Sequence, residues 1–106
     1  MPAWIDSDEL QRRQASGSPF LLIDVRGPDE FIAPPGHLPD AINIPLPRLL
    51  ERISDVAPRD RPVVLVCKTD RRSAKAAEIL FAAGFRHVEV LRGGTDGWYQ
   101  RGLPLD

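Results

Sequence analysis

Two short apolar runs limit what this chain can fold into. Residues 63–66 are apolar at every position and rich in β-branched side chains, and residues 20–23 form a second continuous run. A strand with one face in water alternates apolar and polar residues, whereas a strand covered on both faces does not. The two runs therefore predict buried strands of a parallel sheet.

Helical patterns separate these runs. Asp6 precedes Glu9 by three residues, a capping arrangement that predicts a helix to about Gln14. Alanine content and apolar spacing predict another helix over residues 73–83, with Gly84 as its cap. Shorter strands are predicted at residues 4–5, 41–44 and 88–91, a turn at 27–29, and short helices after Leu46 and over 95–101. The alternation predicts an α/β fold.

Size and charge narrow the possible functions. We expect one domain spanning residues 1–106, and the formal net charge of −1 favours neither a nucleic-acid nor an anionic-membrane partner. One cysteine rules out an internal disulfide, and no signal peptide or membrane span is recognisable, so a cytoplasmic location is expected. Two separated histidines and one cysteine predict no metal site, and no cofactor is expected.

Cys67 is the residue with the clearest chemical signal. It ends a predicted strand and precedes a helix whose first N–H groups lack partners and carry partial positive charge. Lys68, Arg71 and Arg72 add three cations that favour the thiolate, whereas Asp70 opposes them unless it pairs with one of the arginines. A lone cysteine is often a core residue, but the charged loop after it favours a functional one.

The length of the loop separates the possible reactions. Loops of cysteine phosphatases and arsenate reductases resemble this one but need an arginine six residues after the cysteine, where this chain has Ser73. Arg72 arrives one position early, and the tighter ring suits a single sulfur atom better than phosphate. Without a second cysteine, the chain cannot resolve a thioredoxin-type intermediate by itself.

Four ordered motifs resemble the rhodanese homology domain in its single-domain bacterial form. They are DVR at residues 24–26 with Glu30 and Phe31, GHLPDAINIP at 36–45, VLVC at 64–67 with RSA at 72–74, and LRGG at 91–94 with Trp98 and GLP at 102–104. The match covers nearly the whole chain.

The resemblance implies a three-layer α/β/α fold with a mainly parallel sheet of about five strands. It also implies a sulfurtransferase or sulfur carrier in which Cys67 is the nucleophile and holds a persulfide. The donor would be thiosulfate or a persulfide, and the acceptor a thiol, cyanide or a protein. Arg72 would help to hold an anionic donor, and backbone N–H groups would cradle the outer sulfur in the loop Lys68, Thr69, Asp70, Arg71, Arg72 and Ser73. A non-catalytic interaction module with the same fold is the alternative.

Two aspartates depart from the family pattern, and four other polar residues are expected to make structural or supporting contacts. Asp70 and Asp40 replace usual glycines, so we expect them to tolerate positive φ, and the charge of Asp70 should disfavour an anionic donor. Asp24 either orients the loop or serves as a strand-end carboxylate paired with an arginine. Arg26 and Glu30 are expected to pair with each other, and His37 to fix its loop by a hydrogen bond.

Overall fold

In the computed structural model, which describes residues 2–106, five parallel strands form one sheet. The strands are β1 (Ala3–Ile5), β2 (Leu21–Asp24), β3 (Ile42–Asn43), β4 (Val63–Val66) and β5 (Val88–Leu91). The helices are α1 (Ser7–Ser16), α2 (Pro28–Ile32), α3 (Leu49–Val56), α4 (Arg71–Ala82) and α5 (Gly94–Gln100), with a 3-10 turn at Leu46–Arg48. The order β1-β5-β4-β2-β3 puts β4 at the centre, so the predicted α/β fold with a parallel sheet is confirmed.

Both faces of β4 are buried, which is why its sequence shows no alternation. Val63 and Leu65 belong to one core cluster, together with residues of α3 and α4. Val64 and Val66 belong to a second cluster, which contains Leu10 from α1 and Trp98 from α5. Successive side chains of a strand point to opposite faces, so helices cover the sheet on both sides and the three layers are present.

Several boundaries differ from those predicted. The side chain of Asp6 accepts from Glu9 N at 2.8 Å, as the capping pattern predicts, but α1 continues to Ser16. Residues 27–29, predicted as a turn, lead into α2 instead. α4 begins at Arg71, two residues before the predicted start, and Ser73 lies inside its first turn with its hydroxyl 3.2 Å from the sulfur of Cys67.

A buried ion pair closes the end of β2. The Arg26 guanidinium donates to both carboxylate oxygens of Asp24 at 2.8–3.0 Å and to the Gly36 carbonyl at 3.1 Å. Asp24 is 0% exposed and Arg26 is 6% exposed. The predicted Arg26–Glu30 pair is therefore wrong: Arg26 folds back on the carboxylate two residues before it, and Glu30 pairs with Arg72.

None of the helices formed by residues 2–106 has the length and apolar character needed to cross a bilayer. The same residues contain no group of three or more His, Cys, Asp or Glu side chains arranged to hold a metal ion.

Replacing Arg26 with alanine should lower the free energy of unfolding by about 3–5 kcal/mol, because it leaves the Asp24 carboxylate buried without its counter-charge. Urea unfolding measures this change. Arg48→Ala is the matched control, since it removes an exposed pair with Glu51 and should cost less than about 1 kcal/mol. Equal losses of unfolding free energy in the two variants would show that the buried pair stabilises the fold no more than the exposed pair does.

Candidate active site at Cys67

Cys67 lies directly after the central strand, at the carboxyl edge of the sheet where open α/β folds place their sites. Its side chain is 1% exposed. Ser73 N donates to Sγ at 3.3 Å, and the Ser73 hydroxyl lies 3.2 Å from the same atom. These contacts close residues 67–73 into a ring around the sulfur.

The floor of this ring is the start of α5. Thr95 N donates to the Cys67 carbonyl at 2.9 Å, and Asp96 N donates to the Lys68 carbonyl at 3.0 Å. A side chain at Gly94 would overlap the carbonyl oxygens of Cys67, Lys68 and Thr69. Three successive loop carbonyls therefore converge on α5, and the turn predicted at residues 93–94 is a close-packed helix start.

The direction of these carbonyls determines where the loop amides point. In a trans peptide the C=O and the following N–H point in opposite directions. The N–H groups of Lys68, Thr69 and Asp70 must therefore point away from α5. Within residues 2–106, none of the N–H groups of residues 68–72 donates to a protein acceptor. Unpaired amides beside a cysteine sulfur are suited to holding a small anion.

Asp70 supports the loop from outside the cavity. Its Oδ1 accepts from Gly93 N at 2.8 Å, and its backbone carbonyl accepts from the Ser73 hydroxyl at 3.2 Å. Its φ is −129°, so this position does not use the positive φ that aspartate was expected to tolerate. Asp40 does have a positive φ, 67°. The Asp70 carboxylate forms no ion pair with the neighbouring arginines, and the carboxylate that pairs with Arg72 is that of Glu30.

A cavity of about 460 Å³ opens above the ring. Its lining is strongly basic and comes from the loop, the first turn of α4 and the segment after β3. The lining residues are Leu46, Cys67, Lys68, Thr69, Arg71, Arg72 and Lys75. Leu46 and Lys75 were absent from the predicted set. Lys75 lies one helical turn after Arg71, so the helix period alone could have found it, whereas Leu46 joins the site only through the fold.

A two-point ion pair connects α2 to the active-site loop. Arg72 Nη1 and Nη2 donate to the two carboxylate oxygens of Glu30 at 2.6 and 2.9 Å, and Glu30 also accepts from Gly27 N at 3.2 Å. The Arg72 hydrogen bonds, helped by the one from Gly27 N, lower the pKa of Glu30 to about 2. The same hydrogen bonds raise the pKa of Arg72. Both groups are therefore charged at neutral pH.

The other predicted supporting residues lie outside the Cys67 cavity. Asp24 and Arg26 hold the end of β2 as a buried pair. Arg26 and Glu30 line a neighbouring cavity of about 300 Å³ that also contacts Lys68. His37 Nδ1 lies 2.8 Å from the Phe31 carbonyl, and its ring stacks on Phe31, so it makes the loop contact expected of it.

Comparisons with known proteins agree with this geometry. Residues 6–101 match the family model described as the rhodanese-like domain. A sulfurtransferase of Allochromatium vinosum is 39% identical over 101 residues, which cover 95% of this chain and 92% of that protein. A thiosulfate sulfurtransferase of Escherichia coli is 41% identical over 75 residues, 70% of each chain. The crystal structure of a rhodanese-related protein from Thermoplasma volcanium matches with a TM-score of 0.82 at 29% identity, covering 96% of this chain and 95% of that one.

The Glu30–Arg72 pair should make stability depend on pH in a defined window. The pKa of Glu30 is lowered in the folded state, so its contribution is fully present above about pH 4.5 and is lost as the pH falls towards about 2. Wild type should therefore exceed Glu30→Gln in stability at pH 7, and the difference should shrink steadily below pH 4.5. Urea unfolding at several pH values measures it. A difference that stays constant down to about pH 2 would show that the Glu30 charge does not stabilise the fold.

Proposed function

Because the chain belongs to the rhodanese-like domain family, we propose that it is a sulfurtransferase that carries sulfur as a persulfide on Cys67. The observation that carries the proposal is the closed ring of residues 67–73, in which Sγ accepts from Ser73 N and the amides of residues 68–72 have no protein acceptor among residues 2–106. The named sulfurtransferases similar to this chain support the same reaction class.

The reaction would proceed in two sulfur transfers. The Cys67 thiolate attacks the outer sulfur of a donor, a new S–S bond forms at Sγ, and the donor's own S–S bond breaks. With thiosulfate, the bonding electron pair leaves on sulfite. An acceptor thiol, cyanide or protein then attacks the outer sulfur, and the Cys67 thiolate is regenerated.

The surroundings of Cys67 suit the anion that this cycle stores. Preorganised N–H donors stabilise charge well in a site from which water is partly excluded. Here the donors are the amides of residues 68–72, the last two of which belong to the start of α4. The side chains of Lys68 and Arg72 line the cavity wall. Arg72 keeps outer N–H groups free because Glu30 occupies only one edge of its guanidinium. It would thus hold an anionic donor while staying fixed in place.

A reaction at a tetrahedral phosphate fits this ring less well. Arg72 is five residues after Cys67, one position earlier than a phosphate-binding loop of this kind needs. Its guanidinium is already paired with Glu30. The ring closes on the sulfur itself, because Ser73 N donates to Sγ at 3.3 Å. The non-catalytic interaction module remains an outcome of the test below.

Treating reduced wild-type protein with thiosulfate or an organic persulfide should add the mass of one sulfur atom to the intact protein. Cyanide should remove it, because cyanide attacks sulfane sulfur. Cys67→Ser, which keeps the size of the side chain but removes the thiol, should gain nothing. Mass spectrometry of the intact protein measures all three. If no donor loads the wild type, the fold serves as an interaction module instead.

Two substitutions at Asp70 separate its charge from its hydrogen bond to Gly93 N. Asp70→Asn keeps an acceptor oxygen and removes the charge, so it should load from thiosulfate at least as fast as wild type. Asp70→Gly also removes the contact that supports the loop and should load about fivefold more slowly than Asp70→Asn, the equivalent of one hydrogen bond of about 1 kcal/mol. Stopped-flow loading rates measure this. If Asp70→Gly is the faster variant, the contact has no role in loading.

A further inference from the structure

We infer that Arg71 is a specificity-determining residue that binds a carboxylate on the carrier part of an organic donor. On this inference, which rests on the proposed function, the preferred donor is a carboxylate-bearing organic persulfide and not inorganic thiosulfate. Arg71 would act in the outer part of the cavity, beyond the ring that holds the sulfur.

The charges of the cavity wall are not evenly balanced. Four cations line it, and three of them have an acidic partner within 4 Å. The pairs are Lys68 with Asp96 at 2.7 Å, Arg72 with Glu30 at 2.6 Å and Lys75 with Glu78 at 3.6 Å. Arg71 has no acidic partner among residues 2–106, and its side chain is exposed. The uncompensated charge of this wall is therefore located at Arg71.

The acid next to Arg71 in the chain is turned away from the cavity. Asp70 precedes Arg71 and would be its natural partner in an open loop. Its Oδ1 accepts from Gly93 N at 2.8 Å, and its side chain is absent from the cavity lining. The contact that supports the loop therefore also keeps a carboxylate away from Arg71.

The cavity is larger than an ion such as thiosulfate needs. A cavity of about 460 Å³ lies within the range typical of pockets for organic ligands, roughly 300–1,000 Å³. Thiosulfate is an ion of about the size of sulfate, and its sulfonate is bonded directly to the sulfur that is transferred. It would lie against the ring amides and leave the outer cavity empty. Leu46 adds an apolar wall against which the carbon chain of a larger carrier can pack.

Arg71 and Arg72 have different roles because they lie in different parts of the cavity. Arg72 is held by Glu30 beside the ring, where it meets charge close to the transferred sulfur. Arg71 begins α4 and is exposed at the mouth, where it meets charge several bonds away. A guanidinium binds a carboxylate through two parallel hydrogen bonds, so Arg71 can select carriers that bear one.

The transfer from such a donor balances without any further reagent. The Cys67 thiolate attacks the outer sulfur of R–S–SH, giving Cys67–S–SH and the carrier thiolate R–S⁻. The donor's S–S bond breaks with its electron pair on the carrier sulfur. One sulfane sulfur has moved, and no external oxidant or reductant is consumed.

The test compares three donors on matched variants. Glutathione persulfide carries carboxylates, cysteamine persulfide carries an ammonium group, and thiosulfate carries only its sulfonate. Arg71→Ala removes the proposed contact, and Arg71→Lys keeps the charge without the two-point fork. Arg86→Ala is the control, because Arg86 is also exposed and precedes β5 at the opposite edge of the sheet. Loading rates across donor concentrations give kcat and KM.

We expect Arg71→Ala to lower kcat/KM for glutathione persulfide about tenfold, the scale of one charge-assisted hydrogen-bond pair. The loss should appear mainly in KM. The same variant should lower the thiosulfate value by a clearly smaller factor and leave cysteamine persulfide unchanged or faster. Arg71→Lys should recover part of the loss, and Arg86→Ala should match wild type with every donor.

Two results would overturn the inference while leaving the proposed function intact. One is a wild type that loads normally and an Arg71→Ala variant indistinguishable from Arg86→Ala. The other is an equal loss with thiosulfate and glutathione persulfide, which would mean that Arg71 contributes general positive potential. Failure of wild type to load from all three donors would remove the proposed function and this inference together.

Discussion

The active-site loop depends on its contact with the start of α5. Gly94 lies so close to the carbonyls of Cys67, Lys68 and Thr69 that no side chain fits at its position. Thr95 N and Asp96 N hold two of those carbonyls. Since a peptide group points its C=O and N–H in opposite directions, fixing the carbonyls against α5 also fixes the amides on the opposite side. The anion-binding character of the ring thus follows from a backbone packing contact and not from any one charged side chain.

Charged side chains around the ring add to the anion binding that this backbone arrangement provides. Acids from neighbouring elements hold two of the cations, Glu30 of α2 holding Arg72 and Asp96 of α5 holding Lys68. The buried Asp24–Arg26 pair holds the end of β2, directly before α2. Pairing limits the flexibility of long side chains, whose ordering otherwise costs entropy. Arg71, left without a partner among residues 2–106, is the cation free to respond to a ligand.

The sequence predicted the architecture well because that part of the problem is local and periodic. The apolar residues of β4 and the cap at Asp6 act through neighbours in the chain, and the structure agrees with both. The boundary of α4 was predicted less well. The helix was predicted to begin at Ser73, yet the hydroxyl and amide of this residue contact the sulfur of Cys67, a contact that periodicity does not reveal.

By itself, the sequence determined that a parallel α/β fold would form and that Cys67 would follow its central strand, in a short cationic loop. Those features depend on side-chain periodicity and on the order of residues along the chain. Only the tertiary structure decided which charges meet: Arg26 with Asp24, Glu30 with Arg72, and Asp70 with the amide of Gly93. Long charged side chains reach several partners at once, and the choice among them depends on distances between elements far apart in sequence. Leu46 enters the cavity for the same reason, since the fold brings the segment after β3 beside the loop after β4.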